Sequence, residues 1–186
     1  MRLKTNVAIV GAGPVGMHLA MNLAALGVPS VLIDSAGSTR AVPRGNTHNC
    51  RTMEHFRRLG LVARLRDLGL PPDHPTDVAY FNTIAGQEIA RLPMPSEREK
   101  RALRDSAGPT DQIVEPILRA NQIYVEALVG DHLRSLPQVA RRWGWTFTGF
   151  TDEGGRLLAT IADSAGREEV VECDYLVGCD GGNSLV

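Results

Sequence analysis

Three glycines spaced as Gly11-x-Gly13-x-x-Gly16, within VAIVGAGPVG, are the residues of this chain best suited to hold a phosphate. In that spacing the first glycine permits a tight turn, the second lets backbone approach a pyrophosphate, and the third lets a helix pack closely on a strand. The helix opening there, with Pro14 in its first turn, adds N–H donors and the positive end of its dipole. Asp34 follows Gly16 by 18 residues, close to the spacing at which an acidic side chain accepts a ribose hydroxyl. Its charge repels a 2′-phosphate, so the pattern favours FAD or NAD over NADP. Simpler readings stay open: the glycines form a plain turn, and Asp34 caps a turn with Ser35. Asp180-Gly181, after the apolar YLVG, are either ordinary turn residues or, from their place at the end of a strand, ligand contacts.

Other chemistries find little support. His18, His48, His55, His74 and His132 are scattered, with no H-E-x-x-H and no Cys/His clustering, so surface or core roles are expected and no metal. A Gly-x-Ser-x-Gly elbow is missing, and no nucleophilic triad is seen. Trp143, Trp145 and Phe147 are expected to pack against strands.

Elements to position these residues can be read from the pattern. Thr5 to Val10 is a short, β-branched apolar run bounded by glycine, which predicts a buried strand. Val15 to Leu26 predicts a helix stopped by Gly27, and Ser30 to Ile33 a second buried strand ending at Asp34. Together they make a β-α-β unit. Ser35 to Asn49 is then too long and polar for an ordinary strand-to-helix connection. Arg51 to Leu59 predicts a helix, and Leu61 to Leu68 a shorter one. Val78 to Ile84 and Glu88 to Leu92 predict a hairpin around Ala85-Gly86-Gln87. Ser96 to Ala107, containing EREKR, reads as a solvated loop. Val125, Leu128, Val129, His132, Leu133 and Leu136 follow helical spacing. Strand-like runs at Trp145 to Phe150, Leu157 to Ile161, Glu169 to Val171 and Tyr175 to Val177 complete the chain.

The chain's 186 residues, 43% of them hydrophobic, suffice for a buried core. A formal charge of −1 gives no broad field to attract nucleic acid or an anionic membrane. The three cysteines, Cys50, Cys173 and Cys179, form no CxxC pair, which argues against a disulfide scaffold and fits a reducing cytoplasm. The apolar stretch after Arg2 and Lys4 is broken by Gly11, Gly13, Pro14, His18 and Asn22, so a soluble chain without a signal peptide is expected.

Three separated stretches, VAIVGAGPVG...VLIDS, PRGNTHNCRTMEHFRRLGL and YLVGCDGGNSLV, together resemble the N-terminal part of the class A flavin-dependent aromatic hydroxylases, the family of para-hydroxybenzoate and phenol hydroxylases. The resemblance covers essentially the whole chain. It implies an α/β fold, a Rossmann-like FAD-binding core with the start of an inserted β-rich substrate domain. On that reading residues 1–77 and 108–186 are the FAD-binding domain and 78–107 the start of the substrate domain. It further implies that Gly11, Gly13 and Gly16, with Pro14 between, hold the FAD pyrophosphate, that Asp34 and the adjoining Ser35 hold the adenosine ribose, and that Arg44 reaches the pyrophosphate. Gln122 resembles the family's glutamine at the flavin's linker, and Asp180-Gly181 its Asp-Gly motif, tied to both FAD and NAD(P)H. The implied activity is hydroxylation of an aromatic, phenolic small molecule with NAD(P)H and O2. No catalytic residue is identified.

The sequence also departs from the family. Its later Gly-Asp motif has no match, since Gly130-Asp131-His132 lies within the predicted amphipathic helix, and most of the substrate domain is missing. The chain therefore reads as a fragment of a longer enzyme, inactive alone. Competing readings are a non-catalytic FAD-binding fragment and an NAD-dependent Rossmann dehydrogenase, the latter at odds with the long Ser35 to Asn49 stretch.

Overall fold

The computed structural model describes residues 2–39, 42, 44–106, 113–182 and 184–186. The chain divides into two compact units, Met1–Val42 with Ile123–Val186, and Pro43–Gln122.

The first unit is built on a four-stranded parallel sheet. It contains β2 (Val7–Val10), the helix α1 (Pro14–Ala25) and β3 (Ser30–Asp34), the predicted β-α-β unit. The helix α5 (Gln122–Arg134) precedes β8 (Val139–Trp143), and β12 (Tyr175–Gly178) closes the sheet in the order β12-β2-β3-β8. A second sheet, in the order β1-β11-β10-β9, holds β1 (Arg2–Lys4), β9 (Trp145–Asp152), β10 (Leu157–Asp163) and β11 (Glu168–Cys173). Strand alternation sends Ala8, Val10, Val31 and Ile33 to one face, where they pack with Phe147, Ala159, Ile161, Val171 and Cys173 of the second sheet. Ile9 and Leu32 turn to the opposite face, where α1 contributes buried Met17, Ala20 and Met21. Burial on both faces explains why VAIV and SVLI read as unbroken apolar runs.

Within the second unit, β4 (Thr47–His48) pairs antiparallel with β7 (Leu118–Arg119). The helix α2 (Cys50–Arg58) is capped by Asn49, whose side chain accepts the Thr52 N–H at 2.9 Å, and α3 (Val62–Arg66) follows. The hairpin forms as expected, β5 (Val78–Phe81) with β6 (Glu88–Leu92).

Glu97–Ser106 is a helix, α4, not a solvated loop. Its start is a reciprocal capping box: Ser96 N–H donates to Glu99 Oε2 at 2.7 Å, and Glu99 N–H to Ser96 Oγ at 3.3 Å. Charged rather than apolar side chains anchor it. The Arg66 guanidinium, 9% exposed, bonds Glu97, Glu115 at 2.7 Å and the Pro116 carbonyl at 3.1 Å. A run of charges thus has a buried face because its counter-charge comes from α3. The strands β1, β4, β7 and β8 are likewise absent from the sequence reading.

Candidate functional site: the glycine turn

The turn between β2 and α1 is closed at two glycines and open at the third. Gly11 has φ +101°, a conformation that favours glycine. A Cβ there would lie 2.4 Å from the Cys179 carbonyl oxygen, because Cys179 N–H donates to the Val10 carbonyl at 2.6 Å and draws the end of β12 over the turn. A Cβ on Gly16 would lie 1.8 Å from the Gly11 carbonyl oxygen, so α1 can begin this close to the strand only without a side chain. By contrast, a Cβ on Gly13 would meet nothing within 4 Å. Gly13 is the N-cap of α1 with Pro14 next, so its N–H and those of Val15 and Gly16 are donors that the helix itself cannot satisfy. These groups fit a pyrophosphate: open backbone, unpaired donors and a positive dipole end at one place.

Asp34 ties this turn to the next strand. Its Oδ2 accepts the Ala12 N–H at 2.6 Å and its Oδ1 accepts the Ala36 N–H at 2.8 Å. It therefore does cap a turn, as one reading of the sequence had it, and it also braces the glycine loop. Each carboxylate oxygen keeps a second lone pair for a sugar hydroxyl. Ser35 beside it is exposed.

Asp180 and Gly181 follow β12 at the same end of the parallel sheet, where ligands of open α/β sheets bind. Burial pushes the Asp180 carboxyl up, but the Ser184 hydroxyl and backbone N–H groups, with Leu185 N–H at 3.2 Å, outweigh it and hold it below the usual range. Gly181 has φ +93°. The Cys179 thiol is pushed up by burial and by the Asp180 charge. Cys179 is accordingly expected to react with iodoacetamide at pH 8 several-fold more slowly than free cysteine, read by mass spectrometry.

The structure thus brings Gly11, Gly13, Pro14, Gly16, Asp34, Ser35, Asp180 and Gly181 together in the first unit. Arg44 and Gln122 belong to the second. There Gln122, the first residue of α5, donates its N–H to the Gly45 carbonyl at 3.1 Å, so the two stand on adjoining segments, with Arg44 exposed. Gly130-Asp131-His132 lies inside α5. Cys179, which shapes the turn, was not singled out from sequence. Its place directly after YLVG was the available signal. Among the described residues no group of three metal-ligating side chains occurs, and no helix is long and apolar enough to cross a membrane.

A parallel β-α-β unit whose glycine turn is braced by the acid ending its second strand defines a Rossmann-like dinucleotide-binding domain. The comparison with known families narrows this: residues 4–186 match the family described as FAD binding domain, and the chain belongs to it. It is 30% identical over 184 residues to the FAD-dependent monooxygenase apdD of Emericella nidulans, covering 97% of this chain and 29% of that protein. It is 30% identical to the 2,4-dichlorophenol 6-monooxygenase of Cupriavidus pinatubonensis, over 100% of this chain and 30% of that one. Among solved structures, the rebeccamycin biosynthetic enzyme RebC with reduced flavin superposes with a TM-score of 0.83 at 31% identity, over 100% of this chain and 34% of that one. The flavin-dependent monooxygenase PieE, in complex with FAD and substrate, gives 0.82 at 30% identity, over 98% of this chain and 31% of that one. The chain therefore spans about a third or less of the length of these relatives.

Proposed function

We propose that this chain is the FAD-holding part of a monooxygenase that hydroxylates an aromatic, phenolic small molecule with NAD(P)H and O2. The observation that carries the reading is the open Gly13 face between two closed glycines, in a chain of the FAD binding domain family. The flavin, when bound, supplies the redox and oxygen chemistry, and the protein's part is placement and water exclusion. The N–H groups of Gly13, Val15 and Gly16 hold the pyrophosphate, with Pro14 pre-setting the first helical turn and Gly11 the bend before it. Asp34, with Ser35 next to it, accepts the adenosine ribose hydroxyls and rejects a 2′-phosphate at this position. Resemblance to the aromatic hydroxylases supports the remaining roles: Arg44 as positive charge for the pyrophosphate, Gln122 at the flavin linker, and Asp180-Gly181 at flavin and NAD(P)H. It also supports assigning 1–77 and 108–186 to the FAD-binding domain and 78–107 to the start of a substrate domain. The free state of Cys50, Cys173 and Cys179 fits a reducing cytoplasm.

The test is a visible spectrum of the purified chain after FAD is added and free flavin removed by gel filtration. A retained flavin band supports the reading; a folded chain that retains none counts against it. Asp34→Ala loses both braces and the sugar contact, and its flavin affinity is expected to fall roughly tenfold or more. Retention of flavin by this chain, with NAD(P)H oxidation only in a longer protein, is the result expected if these residues hold FAD without catalysing alone.

A further inference from the structure

Beside the cradle, β8 carries a cation that the FAD reading does not use. Arg141 lines a cavity of about 370 Å³ together with Ser38 and Thr39 of the loop after β3, Arg134 of α5, and Trp143. None of the glycine-turn residues, nor Asp34, lines it. The Nη1 of Arg141 is sealed from solvent and has no hydrogen-bond partner among the described residues. No carboxylate among the described residues forms an ion pair with Arg141, whereas its neighbour Arg142 is paired with Glu169 at 3.0 Å. Asp131, the one acid among the described residues of the cavity wall, is already paired with Arg134. One positive charge is therefore left over on the wall, partly desolvated, and such a charge is stabilised by an anion.

We propose that this cavity binds a phosphate-class oxyanion. The guanidinium of Arg141 offers a planar fork of donors matched to such a group. The Thr39 hydroxyl adds a donor; the Ser38 hydroxyl already donates to the Thr39 carbonyl at 3.2 Å and Arg134 is engaged by Asp131, so the excess charge is that of Arg141. The cavity exceeds a bare phosphate in size, and Trp143 gives it an aromatic wall, so it accommodates phosphate carried on an organic group as well as the free ion. The site is separate from the pyrophosphate cradle and stands whether or not the flavin reading does.

The experiment is a titration of the flavin-free chain with inorganic phosphate at constant ionic strength, followed by Trp fluorescence and thermal shift, with adenosine 2′-monophosphate and adenosine as parallel arms. Saturable phosphate binding is expected. Arg141→Gln should weaken it at least tenfold, Arg141→Lys should retain part of it, and Arg64→Gln, the same charge change on α3, should leave it unaltered. Tighter binding of the 2′-monophosphate than of either phosphate or adenosine identifies a phosphate carried on a nucleotide; equal binding of phosphate identifies the free ion. Saturating FAD should not displace the phosphate. Displacement by FAD, or binding insensitive to Arg141→Gln, overturns the proposal, as does no binding at all. If Arg141→Gln fails to fold by circular dichroism, Arg141→Lys, which keeps the charge and loses the planar fork, makes the test, and phosphate binding as tight as in the parent then overturns the proposal.

Discussion

The Gly13→Trp chain is expected to fold and to leave gel filtration without flavin. Gly13 has φ −72° and ψ −177°, backbone values open to any residue, and a side chain there meets no protein atom within 4 Å of its Cβ. Replacing a glycine N-cap by an apolar residue costs the helix about 1 kcal/mol, too little to unfold the chain. The indole would instead fill the space in which donors of the helix start await an anion. Flavin affinity should drop by roughly two orders of magnitude, about 2.7 kcal/mol, with an unchanged circular dichroism spectrum. Gly16→Ala makes the opposite case: its Cβ has to sit 1.8 Å from a backbone oxygen of Gly11, so strand and helix must separate and the melting temperature should fall together with flavin binding. Flavin retained by Gly13→Trp would sink the cradle reading.

The second large effect is on stability. Arg66→Met should destabilise the second unit by about 1.5–3 kcal/mol, since it takes the buried cation from two carboxylates that keep only the more exposed Arg57 and Arg101, each at 3.1 Å, as close partners. Glu97 and Glu115 are only 8% and 4% exposed. Hydrogen exchange should accelerate first in Glu97–Ser106, whose helix is held through Glu97. Adding Glu97→Gln and Glu115→Gln to Arg66→Met should recover only part of the loss, because the carboxylates then need no cation but buried Lys100 loses Glu97 as its partner. A single Arg66→Met chain as stable as the parent would show that the cluster contributes nothing.

The same two regions show what was legible in the sequence. The β-α-β unit could be read because its determinants are local: apolar runs of strand length, Pro14 at a helix start, and glycines at fixed offsets. The hairpin at 78–92 was readable for the same reason. The helix at 97–106 was missed because its anchor is a charge: Arg66 lies 31 residues from Glu97 and 49 from Glu115, and no hydrophobic period reports such a contact. Ser96-x-x-Glu99 did carry a local helix-start signature, which the run EREKR obscured. The strand β8, VARRW, hides differently. Among the described strands it pairs with β3 alone, and as a sheet edge bearing two arginines it lacks a clean alternation. In the site, the acid at Asp34 was readable from spacing, but its bond to Ala12 across the turn was not, nor the closure of that turn by Cys179.

That closure bears on how the molecule is made. The strand β2 lies between β3 and β12, and Asn6 bonds Asp174, 168 residues away. On the ribosome the glycine turn is made well before Tyr175–Gly178, the strand whose end packs over Gly11. Such long-range pairing folds slowly, and the wait exposes one side of the nascent sheet. Nascent chains stalled before residue 175 should therefore carry the whole glycine motif and still be open to proteases at β2. Protection of β2 would then mark the point at which β12 has left the ribosome and joined the sheet.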